Sequence, residues 1–173
     1  LGMDALNQIC VALSVLLTSS SDSTSIAKSS NFAVSAPSEE VASEVLAAAE
    51  SFRRELALEW LNKELPEGVG FCVIVVQLSE REQGGSTSEM KSKRGPCYLI
   101  RLKTSRAKVT GAPLAHEILH ALTATQFPQG LPPWAAEGTA CLAEDVDGLC
   151  CRRALAWFSK TATWPRLKDL LEA

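Results

Sequence analysis

The 173-residue chain contains two histidines, one tyrosine and two methionines, and aromatic residues make up only 6% of it. Positive charge is not in excess either. Seventeen Lys and Arg stand against 20 Asp and Glu, a formal net charge of -3, so nothing draws the chain toward nucleic-acid phosphates or anionic lipid. No nucleic-acid partner is expected. The apolar run ICVALSVLL, residues 9–17, falls far short of the ~20 residues that cross a bilayer, so no integral membrane span is expected. None of the six cysteines forms a CxxC pair, which excludes a zinc ribbon and a thioredoxin-like site. Cys72 and Cys97 could meet across neighbouring strands as a disulfide, although buried apolar thiols are the commoner fate.

What is present describes a single globular domain, with 46% hydrophobic and 21% charged residues. Residues 1–36 stand apart. Their apolar run has the length of a signal-peptide core, and the Ser- and Thr-rich stretch after it reads as a tether, so the segment is expected to be largely unstructured. Secretion or attachment to the cell envelope is the location this suggests, with the cytoplasm as the alternative. Residues 37–173 form the folded domain. Val41, Val45, Ala48, Phe52, Leu56 and Trp60 recur at spacings of three and four, which predicts a long amphipathic helix. GFCVIVVQL at 70–78 and CYLIRLKT at 97–104 read as strands, with a loop around Gly84 and Gly85 between them. Seven basic residues between Lys91 and Lys108 read as solvated loop and strand faces. LAHEILHALTATQF predicts a second helix, WAAEGTACLAED a third, and residues 148–159 and 165–172 two more. The expected class is α+β.

The two histidines are His116 and His120, within HEILH. With two His and 15 Glu, a shuffled chain would produce HExxH about once in a thousand trials, so chance placement is a poor explanation. Four residues are about one helical turn, which stacks both imidazoles on one face while Leu114, Ile118 and Leu122 point away to a core. Both can then offer a nitrogen to one Zn²⁺ at about 2.0–2.1 Å. Glu117, rotated around the helix, can sit beside the metal as general base for a metal-activated water. A catalytic zinc needs a third protein ligand, and with no third histidine it must be Asp, Glu or Cys. Glu137 is the strongest candidate, because FPQGLPP can fold its helix back across the first and Gly138 allows close packing. Glu144, on the same face, is the alternative ligand or an acceptor for a histidine N–H.

HEILHAL followed by LPPWAAEGTACLAE resembles the peptidase MA-like group of gluzincin metallopeptidases, over residues 110–145. The resemblance implies a zincin-like fold, with a small sheet whose edge strand lines the cleft beside the active-site helix. It implies zinc on His116, His120 and Glu137, Glu117 as general base, and a peptide or protein substrate. It also exposes departures. Thermolysin-like relatives carry Asp four residues after the glutamate ligand, where this chain has Cys141. A gluzincin oxyanion donor is commonly Tyr or His, so here it is Tyr98 or missing. Related domains continue with more helices past a segment like WPRLKDLLEA, so the chain reads as a minimal or truncated version. The resulting expectation is a zinc metallopeptidase, against the alternative of a non-catalytic zinc-binding or protein-interaction domain derived from one.

Overall fold

The computed structural model describes residues 24–90, 92, 95–144, 156, 157, 159–163, 166 and 168. The apolar run at 9–17 lies outside the described residues, as do most of those in the two helices expected near the C-terminus. The fold is α+β, built on a five-stranded mixed sheet. Its strands are β1 (Ser25–Lys28), β2 (Phe32–Ala36), β3 (Phe71–Leu78), β4 (Gly84–Met90) and β5 (Cys97–Thr104), in the spatial order β1-β2-β3-β5-β4. β2, β3 and β5 run parallel at the centre, while β1 and β4 pair antiparallel at the two edges.

Two expectations are corrected here. The supposed tether does not extend to residue 36, because Ser25–Lys28 and Phe32–Ala36 are strands of the sheet and every residue of FAVSA is buried. The Ser-rich composition around them concealed a short core strand, whose place is set by parallel pairing to β3 rather than by its own pattern. Likewise Gly84 and Gly85 are not in a loop but open strand β4, which pairs with β5 along seven residues. Apart from Thr87, the segment GGSTSEM holds no residue of high strand propensity, so pairing and packing decide. Cys72 and Cys97 do lie on adjacent strands, yet they are not bonded. Their partners across the ladder are Tyr98 and Phe71, so a one-residue offset in register puts the two thiols on opposite faces. Burial raises the pKa of both, and they remain protonated thiols.

Helix α1 (Glu39–Leu61) starts where the Ser38 side chain accepts from the Val41 N–H, with Glu39 and Glu40 in its first turn. It ends at Asn62, which takes a left-handed conformation. Val41, Ala42, Val45, Ala49, Leu56 and Ala57 are its buried apolar residues, and the helix packs on β1 and β2. Helix α2 (Ala112–Gln126) lies over β5 and β4 and touches α1, so both helices cover the same face of the sheet. The core between them includes Ile74, Ile100, Leu102, Leu114, Ile118 and Leu119, each at most 1% exposed. Helix α3 (Pro133–Glu144) packs on α2.

Candidate metal centre

Helix α2 divides its two faces as its period requires. Leu114, Ile118 and Leu122 are buried against the sheet, and His116 and His120 face a cleft of about 680 Å³ between β4, α2 and α3. Pro113 sits in the first turn, where a missing N–H costs nothing. After Gln126 the chain reverses through Phe127–Pro132, with Gly130 at φ 81°. Pro132 then accepts the Ala135 and Ala136 N–H groups to start α3. The reversal brings α3 back along α2 and puts Glu137 opposite the histidines.

Three donor groups converge there. The Nε2 atoms of His116 and His120 are 3.0 Å apart. Glu137 places Oε2 3.7 Å from the first and Oε1 3.5 Å from the second. A tetrahedral ion with ligands at about 2.0–2.1 Å spreads its donor atoms ~3.3–3.4 Å apart; the two Glu137 distances come from different carboxylate oxygens, so a single oxygen reaches both histidines only after a small turn of the side chain. One ligand atom from each of the three residues falls within a 4.8 Å set, a grouping that could hold a metal. The histidines are mostly buried and Glu137 is 66% exposed, so the carboxylate approaches from the solvent side of the group.

Glu144, the alternative ligand in the sequence, reaches the other side of His116, with Oε1 3.0 Å from Nδ1. The approach is not aligned as a hydrogen bond, and buried Nδ1 has no other partner. A small rotation of either side chain would make Glu144 the acceptor that fixes the His116 tautomer. Cys141, four residues after Glu137, is exposed on α3.

Glu117 is 5% exposed and points from α2 toward β4. The Thr87 hydroxyl lies 2.7 Å from its Oε2 and 3.0 Å from its main-chain oxygen. Gly85 makes room for it, because a Cβ there would stand 2.2 Å from Glu117 Oε1. Neither Gly85 nor Thr87 is visible as a site residue in the sequence. Alternation along a strand would pair them on one face, but only once residues 84–90 are read as a strand. Tyr98, buried on β5, lines the same cleft. Burial raises its pKa and a hydrogen bond with Thr125 opposes that shift, so the phenol stays neutral. The rest of the cleft wall is mixed, with Phe127, Pro128 and Leu131 from the reversal and Ser86, Glu89 and Thr123 as polar members.

Comparison of the chain with family models, with curated proteins and with solved structures finds no match. The likeness to gluzincins therefore stands on the motif residues alone.

Proposed function

We propose that the chain is a zinc-dependent hydrolase that cleaves peptide bonds. The observation that carries this reading is the convergence of His116, His120 and Glu137 to within 4.8 Å of one another, with a buried carboxylate next to the first histidine and an open cleft in front. Two imidazoles and one carboxylate are a donor set suited to zinc, and they leave a coordination position free for chemistry. The edge position of β4 beside α2 agrees with the zincin-like arrangement that the motif implies. Peptide as the substrate class rests on the gluzincin resemblance; hydrolysis as the reaction class rests on the residues.

Zinc bound at these three side chains would supply a Lewis acid that acidifies water and polarises a carbonyl. The remaining work belongs to the chain. Glu117 accepts the proton of the attacking water and returns it to the leaving amine, a task its carboxylate can perform because it is next to the ligands without being one of them. Tyr98 is the one phenol available to steady charge on the carbonyl oxygen, and it must turn from Thr125 to do so.

Glu117→Gln tests the reading. Cleavage of a broad peptide set should fall by about 10²–10⁴-fold, the usual contribution of a general base, while zinc measured by elemental analysis stays at one per chain. Zinc without cleavage in the unaltered protein would leave the non-catalytic zinc-binding domain as the function. A protein that holds no stoichiometric zinc would remove both.

A further inference from the structure

We propose that Gly85 and Thr87 of the edge strand are positioning residues that seat the Glu117 carboxylate. The catalytic consequence rests on the hydrolase reading; the seat itself does not. Gly85 and Thr87 are two residues apart on β4, opposite Leu102 and Ile100, so both face the helices. Thr87 Oγ1 is 2.7 Å from Glu117 Oε2 and 3.0 Å from the Glu117 carbonyl oxygen. Both are acceptors and the hydroxyl has one proton, so it gives that proton to the nearer carboxylate oxygen or shares it between the two in a three-centre bond. At Gly85 a Cβ would approach Glu117 Oε1, Cδ and Cγ to 2.2, 2.7 and 2.8 Å, so the carboxylate fills the volume that any other residue would claim.

Both contacts bear on one flexible side chain from different directions. Thr87 attracts one oxygen, and the missing side chain at Gly85 admits the other. A glutamate on a helix face has several rotamers, and the strand selects one. The orientation of the base is then set by β4 rather than by α2, which explains why a strand as poor in apolar residues as GGSTSEM lies against the HExxH helix.

Three variants test the seat: Thr87→Val removes the hydroxyl at constant shape, Thr87→Ser keeps it, and Gly85→Ala adds the obstructing Cβ without touching Thr87. Glu117 is the far end of a flexible side chain, so Gly85→Ala should displace it rather than unfold the protein. The readouts are the Glu117 conformation in crystal structures, zinc content, and kcat and KM on a peptide that the unaltered chain cleaves. The expected result is a displaced carboxylate in Thr87→Val and in Gly85→Ala, with kcat reduced on the order of 10- to 100-fold and KM and zinc content held. Thr87→Ser should recover the native conformer and most of the rate. A Glu117 that keeps its place in both Thr87→Val and Gly85→Ala overturns the proposal, and so does a rate loss that tracks loss of zinc. If the unaltered chain cleaves nothing, displacement of Glu117 in the two variants still supports the seat, while the hydrolase reading fails separately.

Discussion

Two polar clusters, one joining α1 to the turns that precede β2 and β3 and one in the cleft beside α2, are built on opposite principles. In the first, Asn31 donates to Glu50 and accepts from the Gly68 N–H, Ser29 donates to Glu50, and Arg53 reaches the carbonyl oxygens of Leu65, Pro66 and Val69. Donors meet acceptors throughout. In the second, the Nε2 atoms of His116 and His120, one of which can donate to the other, face the Glu137 carboxylate, and Glu144 adds another carboxylate behind it. A neutral imidazole carries one proton and a carboxylate none, so this cluster has too few donors for its acceptors. The lesson is that mutual satisfaction marks a structural network, whereas convergent acceptors mark a place for a cation. The two should respond to substitution in opposite ways.

The largest effect should come from the unsatisfied cluster, and in metal binding alone. Removing one of three zinc ligands forfeits a share of a binding free energy that runs to ~10–16 kcal/mol in structural sites, so Glu137→Ala should weaken zinc by on the order of 10²- to 10³-fold in calorimetric titration. Without metal, the variant should unfold within about 0.5 kcal/mol of the unaltered chain, since Glu137 is 66% exposed and supports little else. Equal loss of metal-free stability would break the contrast.

The satisfied cluster should show the reverse. Arg53 is 8% exposed, and its guanidinium closes the turn between α1 and β3 through three carbonyl oxygens. Arg53→Met preserves the packed stem and strands those oxygens, at a cost of about 2–4 kcal/mol in urea unfolding. Zinc affinity of the folded variant should not move. A zinc defect there would mean that the turn and the metal centre are coupled.

How far each cluster could be read from the sequence follows the same division. HEILH was legible because helical geometry fixes what residues 116 and 120 share, whatever surrounds them, and Glu137 followed from a Pro-rich reversal of short reach. Strands β3 and β5 were legible from their β-branched residues. Asn31, Glu50 and Arg53 gave no signal, since a satisfied network depends on residues 12 to 37 positions apart meeting in space. Strands β1, β2 and β4 were missed for a related reason. β1 and β2 are short segments in Ser-rich surroundings and β4 is mostly Gly, Ser and polar residues, so all three become strand through pairing with neighbours, and with β4 went Gly85 and Thr87, the residues that hold Glu117.

The smallest effect sharpens the comparison, because Glu144 stands between the two kinds of cluster. Its Oε1 is 3.0 Å from His116 Nδ1, close enough to be the outer partner that orients a ligand, yet Nδ1 makes no aligned hydrogen bond and is buried. An outer carboxylate that holds a zinc histidine typically contributes 10- to 100-fold to affinity. A partly exposed one with imperfect alignment belongs at the lower end, so Glu144→Gln should weaken zinc about tenfold and leave unfolding unchanged. The amide keeps the acceptor oxygen but loses the charge. If affinity is instead untouched by Gln and falls with Ala, Glu144 acts through hydrogen-bond geometry alone and its charge is incidental to the site.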